Sequence, residues 1–284
     1  MTELILSVVV PAYREGPRIH DNLLRLLKVL DGLSEPYEVL VVSDGNTDET
    51  VSEARRVGSD RVSVLDYASN MGKGFALGYG MRQARGLFVA FIDADMEIDP
   101  VAIPTFLSIM RRTGSDIVVG SKGHRLSIVH YPVYRRFQGW VYKMLIRLLF
   151  NLHVRDTQTG VKLFRSQVLF EALPRLAVKR FAWDLELLVV AHHLGYRKIV
   201  EGPIRLDYRF ESTVRLSSAW RVLWDTAAIF YRLRFLRYYE RPVAPVLVAR
   251  QLLSPQPPPG REPEETPASG PERVPAAEVR KGRP

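Results

Sequence analysis

What most restricts the fold of this chain is a regular alternation, through Ser121, of β-branched runs with segments of helical periodicity. LSVVVPAY (6–13), YEVLVVSD (37–44), VSVLDY (62–67), LFVAFID (87–93) and DIVVGS (116–121) read as strands. Between them lie PRIHDNLLRLLKVLDGL (17–33), TDETVSEARRV (47–57), GKGFALGYGMRQAR (72–85) and VAIPTFLSIMRRT (101–113), with apolar residues spaced as on one helix face. A helix separates each pair of strands and no hairpin turn joins them, so the connections are crossovers and the sheet is parallel. The fold class is α/β. Ligands of such sheets sit beyond the carboxyl ends of the strands. Those ends carry Pro11-Ala12-Tyr13, Ser43-Asp44-Gly45 and Asp93-Ala94-Asp95.

The second half changes character. Residues 130–154 are helical in pattern but dense in aromatic, aliphatic and basic side chains. A polar turn and short strand follow (155–165), then a buried-looking helix carrying Asp184 and Glu186 (181–196), strand material (196–210) and a long amphipathic segment (217–239). From Ser254 the chain holds nine prolines and balanced charges without apolar periodicity, the composition of a disordered tail. The organisation expected is a ligand-binding half at 1–122, a second half at 123–240 and a tail at 241–284. The net charge of +9 therefore belongs to the folded part. There is no cysteine, which removes disulfides and thiolate metal sites. The N-terminus lacks the marks of a signal peptide, and no apolar run is long enough to span a bilayer.

Asp93 and Asp95 are two apart, which on an extended segment puts both carboxylates on one face, with Glu97 next on that face. Like charges so placed call for a hard divalent cation; the competing reading is a solvated strand end before the helix start at Asp99-Pro100. Neither G-x-G-x-x-G nor a P-loop follows a strand, since PAYREG and MGKGFALGYG lack the spacing. The six histidines show no metal spacing, and adjacent His192 and His193 point to different sides of a helix. Nucleic acid is not an expected partner, because the basic residues sit among bulky aliphatics and no recognition motif is present.

Together PAYREG, SDGNTDET, NMGKG and DAD, in order at successive strand ends, resemble the family-2 glycosyltransferases of the GT-A fold, a Rossmann-like, mostly parallel sheet flanked by helices. GSK, YPVYRR, VRDTQTGVKLFR, KRFAWDLELL and RFEST resemble the dolichyl- or polyprenyl-phosphate sugar transferases, the glucosyl branch above all. The resemblance implies that Pro11, Tyr13 and Glu15 flank the nucleotide, with Asp44 reading the base edge. On its own, Asp44 reads equally as a turn-forming residue before Gly45. It implies that Lys73, between two glycines, meets phosphate oxygens, and that Asp93, Ala94 and Asp95 hold the nucleotide sugar. The metal, Mg²⁺ or Mn²⁺, would fall to Asp93, Asp95 and Glu97, with Asp95 central to catalysis.

A phosphate acceptor needs no general base, because its second pKa is near ~6; it needs cations. The second half supplies Lys122, Arg135, Arg136, Arg155, Lys162, Arg165, Arg205, Arg209 and Arg215. Arginine's planar fork suits phosphate. The expected acceptor site is Ser121, Lys122, Arg135, Arg136 and Arg209, with Arg135 and Arg136 also catalytic; a solvated helix face is the alternative for that pair. Asp184 is expected to orient reacting groups. The aromatic and basic helices at 139–150 and 217–239 have the composition of segments lying at an anionic membrane surface, and core packing is an equal reading for the first. The expectation is an inverting, metal-dependent enzyme peripheral to the cytoplasmic face of a membrane. UDP-glucose is the favoured donor, GDP-mannose and UDP-N-acetylhexosamine stay open, and a membrane-protein partner assists docking. Two rivals remain: a soluble transferase using Asp184 or Glu186 as base, and a non-catalytic nucleotide-sugar-binding protein.

Overall fold

The computed structural model describes residues 4–128, 133–178, 182–206 and 216–241, the side chains of 133–140 and 216–221 apart. The expected tail falls almost wholly outside these residues.

The alternation becomes β1 (Leu6–Ala12), α1 (Gly16–Leu30), β2 (Tyr37–Asp44), α2 (Thr50–Arg55), β3 (Val62–Tyr67), α3 (Lys73–Gln83), β4 (Phe88–Ile92), α4 (Ala102–Thr113) and β5 (Ile117–Ser121). The second half adds α5 (Val133–Phe150), β6 (Val161–Arg165), α6 (Ser166–Ala172), α7 (Trp183–His193), β7 (Ile199–Pro203) and α8 (Leu216–Arg234). The short helix α6 was not anticipated. It follows β6 directly and buries Val168, Leu169 and Ala172.

One seven-stranded sheet runs in the order β3-β2-β1-β4-β6-β5-β7. Every pairing is parallel except those of β6, which runs antiparallel to both β4 and β5. Both faces are covered, so β1 and β2 are buried along their whole length. On β1, Leu6, Val8, Val10 and Ala12 pack under α1 and α4, while Val9 packs on the opposite side with α3 and α7. That alternation is the period-2 geometry of a strand between two helical layers.

Two consequences position the site. The chain builds outward from β1 to β2 and β3, then returns to place β4 on the other side of β1. The β1–β4 boundary is therefore a topological switch point, where the two crossover directions leave a crevice. The antiparallel course of β6 brings its first residues, not its last, to the carboxyl end of β4, with Val161 opposite Ile92.

Candidate active site

A cavity of about 370 Å³ opens at that crevice, lined by residues that include Pro11, Tyr13, Glu15, Asp44, Lys73, Asp93 and Asp95. The structure thus brings together every residue assigned to the nucleotide sugar by sequence, Ala94 included.

Three loops build it. The first turns at Arg14, whose φ of 58° lies in the left-handed region. It is held where the Glu15 N–H donates to Thr50 Oγ1 (2.9 Å) and the Gly16 N–H to Asp48 Oδ2 (3.2 Å). The second loop joins β3 to α3 and is clamped by Asp44. Asp44 Oδ1 accepts from the Tyr67 hydroxyl (2.8 Å) and the Met71 N–H (2.7 Å), and Oδ2 accepts from the Gly72 N–H (2.9 Å). Burial, then this hydrogen bond, pushes the Tyr67 phenol well above its ordinary value. A carboxylate offers about four acceptor positions, so Oδ2 keeps capacity for one ligand donor.

The third loop carries the two aspartates. β4 ends at Ile92, so Asp93 and Asp95 do not alternate along a strand as expected; they sit in a turn. The Met96 N–H donates to the Asp93 carbonyl (3.1 Å), with Met96 left-handed at φ 48°. Both carboxylates nevertheless enter one cavity because the turn is anchored elsewhere. Asn22 of α1 donates to the Ala94 carbonyl (2.8 Å), and the Asp93 N–H donates to the Gly160 carbonyl (3.1 Å). Strained left-handed residues flanking a cleft are a common mark of a functional site.

The role given to the glycines around Lys73 needs correction. Gly72 is indeed left-handed (φ 95°), but its N–H serves Asp44. A Cβ on Gly74 would stand 2.6 Å from Trp183, so Gly74 is required for α7 to pack on α3. What remains for an anion is the start of α3, where the N–H groups of Lys73 and Gly74 precede the first bond to the Gly72 carbonyl, made by Phe75, and Lys73 itself.

Lys73 Nζ lies 2.5 Å from Asp93 Oδ1. Burial opposes its charge, but Asp93, Asp184 and Asp95 outweigh it and hold the pKa above the ordinary lysine value. Burial, then Asp93, raises the carboxyl of Asp95; burial, then Asp95, raises that of Glu15, against the pull of Arg18. Glu97 is raised by burial and by Asp95 and Asp93, with Lys122 opposing. The crevice therefore concentrates more negative charge than its lysine neutralises.

This arrangement fits a divalent cation of one kind. Among the described residues no three His, Asp or Glu side chains converge tightly enough to hold a metal alone, so Glu97 does not complete a three-carboxylate set. Asp93 and Asp95 do share one cavity. Mg²⁺-like ions are commonly held by one or two carboxylates plus substrate phosphates and water, and that is the ligand set this crevice can supply.

Several candidate acceptor residues are redistributed. Lys162 is fully buried, donating to the Thr159 carbonyl and to Asp184 Oδ1, each at 2.8 Å. It neutralises Asp184 and is closed to ligands. Arg165 lies at the far end of β6, opposite Phe88, and donates to the Ser115 carbonyl. Arg155 pairs with Glu201. Glu186 is sealed: it accepts from the N–H groups of Ala177 and Val178 and from the Tyr239 hydroxyl, and burial raises its carboxyl. It ties α7 to Tyr239, just past α8, instead of facing substrate. Ser121 ends β5 with its hydroxyl buried and unpartnered among the described residues. Arg135 and Arg136 occupy the first turn of α5, but their side chains, with Arg209 and Arg215, lie outside the described residues.

Sequence reasoning missed Gly160. A Cβ there would lie 2.2 Å from Asp93 Oδ2 and 2.7 Å from its Cγ. The signal was a glycine immediately before a strand, in TQTG, which often marks a close approach.

A doubly wound sheet whose switch point gathers a lysine, four carboxylates and an aromatic edge defines an α/β protein with a charged ligand crevice at the carboxyl ends of its strands. Residues 7–171 match the model of Glycosyl transferase family 2, and the chain belongs to that family of enzymes. It is 35% identical over 207 residues to a dolichyl-phosphate beta-glucosyltransferase of Drosophila melanogaster, covering 67% of this chain and 64% of that protein. It is 30% identical over 248 residues to the Homo sapiens dolichyl-phosphate beta-glucosyltransferase, covering 81% and 76%. Among solved structures it is similar to glucosyl-3-phosphoglycerate synthase from Mycobacterium tuberculosis in complex with Mn²⁺, UDP-glucose and phosphoglyceric acid. That match has a TM-score of 0.60 at 18% identity and covers 85% of this chain and 81% of the other. It establishes the GT-A fold.

Proposed function

We propose that this enzyme transfers a hexose, glucose by preference, from a nucleotide diphosphate sugar to the phosphate of a polyprenyl lipid at a membrane surface, inverting the anomeric centre. The observation that carries the lipid part is a pair of apolar stripes left exposed on α5 and the α8 end. Val141, Met144 and Leu148 recur at helical spacing on α5, and Trp224, Tyr231 and Phe235 do so along and just past α8. Leu148 is 83% exposed and Trp224 70%. Opposite faces of the same helices are buried through Ile146, Phe150 and Ile229, and Tyr142 meets Thr226 at 3.1 Å. Stripes of this kind, beside Lys143, Arg147 and Arg234, suit a helix lying at an anionic interface. No helix among the described residues is long and apolar enough to cross a membrane.

In the reaction a phosphate oxygen of the acceptor attacks the anomeric carbon as the bond to the nucleoside diphosphate breaks. Asp44 fixes the β3–α3 loop, and Lys73, kept charged by Asp93, meets the diphosphate. A divalent cation on Asp93 and Asp95 would offset the charge that develops on the leaving group. The acceptor enters as its dianion, so no base is required. This agrees with the two carboxylates otherwise eligible as bases: Asp184 is paired with Lys162 and Glu186 is sealed. The relatives named for dolichyl phosphate, and the UDP-glucose in the solved neighbour, support the same donor and acceptor classes.

The test incubates the full chain with Mn²⁺ and a panel of nucleotide sugars, with and without a short polyprenyl phosphate, reading nucleoside diphosphate release and glycolipid together. Lipid-dependent release with UDP-glucose, lost in Asp95→Ala, is expected. Release that ignores the lipid, or transfer to a small hydroxyl acceptor, would overturn the lipid assignment.

A further inference from the structure

The C-terminal ends of α7 and α8 enclose a second cavity, of about 400 Å³, separate from the nucleotide crevice. Its wall includes Asn151, His192, His193, Arg197, Arg234 and Arg237. His192 and His193, which helical geometry was expected to send to different sides, border the same space. The single carboxylate is Glu240, 3.8 Å from His193 Nε2. Among the described residues Arg197, Arg234 and Arg237 make no side-chain hydrogen bond or ion pair. Three guanidinium groups thus face one acid, and that acid is engaged by a histidine.

The three arginines are exposed on the wall of one concavity, which makes it a positively charged surface open to an anion. Charges of like sign in one cavity repel, and burial together with the Arg197 charge holds the His192 pKa below its ordinary value. The volume is in the range of small-ligand sites. The guanidinium fork matches the oxygens of a phosphoryl group in a way a lysine cluster would not. Two exposed apolar residues, Phe235 (69% exposed) and Leu236 (45%), stand between Arg234 and Arg237. Exposed hydrophobes therefore stand in sequence between two cations of the cavity wall.

We propose that this cavity is a second anion site that takes a phosphoryl group, distinct from the site where sugar transfer occurs. Asp184, at the catalytic end of α7, is eight residues from His192, or about 12 Å along the helix. A phosphoryl group bound here cannot be the one undergoing reaction. Phospholipid headgroups and free phosphates share this chemistry, and the cavity is open to either.

The experiment uses the full chain without divalent metal. Arg197→Ser/Arg237→Ser is compared with Lys28→Ser/Arg112→Ser, which removes the same charge from exposed positions on α1 and α4, under the other face of the sheet. One arm measures sedimentation with phosphatidylcholine vesicles containing or lacking phosphatidic acid. The other titrates inorganic pyrophosphate by calorimetry. UDP binding in Mn²⁺ serves as the check that each variant is folded. Removing two cations from a phosphoryl site weakens binding about thirtyfold. Such a loss in the vesicle arm alone, confined to the cavity variant and to phosphatidic acid, identifies a headgroup site. The same loss for pyrophosphate identifies a site for soluble phosphates. Equal behaviour of the two variants in both arms overturns the proposal, and because UDP binding is read separately, that result leaves the transfer reaction untouched.

Discussion

Gly160→Ala is the most incisive perturbation the structure offers, because it adds one methyl group and aims it at one carboxylate. The backbone of Gly160 does not lie in the left-handed region, so alanine is conformationally acceptable there. The new Cβ would stand 2.2 Å from Asp93 Oδ2, whereas ordinary contact begins near 3.4 Å. Asp93 or the β6 start must therefore move by about 1 Å. Overpacking of this kind costs about 1–3 kcal/mol of stability, and a misplacement of that size at a reacting centre lowers the rate about a hundredfold. Sugar transfer by Gly160→Ala is measured as kcat/KM, beside thermal unfolding. The same substitution is then made in an Asp93→Ala background. If the methyl acts through Asp93, it costs at most about threefold there, a strong departure from additivity. Retention of activity within threefold in the otherwise native chain, or an equal loss in both backgrounds, would refute the reasoning.

Asp95 carries a pKa raised by burial and Asp93, so its ionisation opposes folding. Its contribution to stability is greatest below the ordinary carboxylate pKa and is lost as pH rises through the raised value. Asp95→Asn should thus melt higher than the native chain at neutral pH, with the gap closing toward pH ~4, while transfer falls on the order of 10²–10³. A lower melting temperature at pH 7 would contradict this. For the native enzyme the acidic limb of activity should begin above the range of an ordinary aspartate, as read from a pH–rate profile. Lys162→Met leaves Asp184 buried without its cation and should destabilise by about 3–5 kcal/mol, with Lys162→Met/Asp184→Leu recovering much of it; chemical denaturation decides, and a loss under about 1 kcal/mol would disprove the pairing. Because the protein presents two carboxylates and not three, Mn²⁺ should bind at least about tenfold more tightly with UDP present than without, and reciprocally. Calorimetry showing equal affinity would argue for a metal site complete in the protein.

The parallel architecture and the cavity residues at 11–13, 15, 44, 73 and 93–95 were legible in sequence for a local reason. β-branched runs and helical spacing are properties of short windows, and in a parallel sheet the residues just past each strand share one end of the molecule whatever the strand order. What lay beyond local reading were contacts between distant segments. The same turn that defeats strand alternation at Asp93 and Asp95 is held by Asn22, more than seventy residues away. Lys162 and Arg165 looked alike as phosphate-binding cations, yet one is buried against Asp184 and the other lies at the opposite end of β6.

The sequence by itself determined the fold class, the strand ends that bear polar groups and the presence of a carboxylate pair with a lysine. Only the tertiary structure decided that β6 enters the sheet antiparallel. That direction sets Gly160 against Asp93, puts Lys162 beneath the site and removes it from the acceptor. A strand's direction follows from where its flanking helices pack, and the packing of α5 and α7 on the sheet is a sum over many weak apolar contacts from all along the chain. No short window of sequence contains that sum.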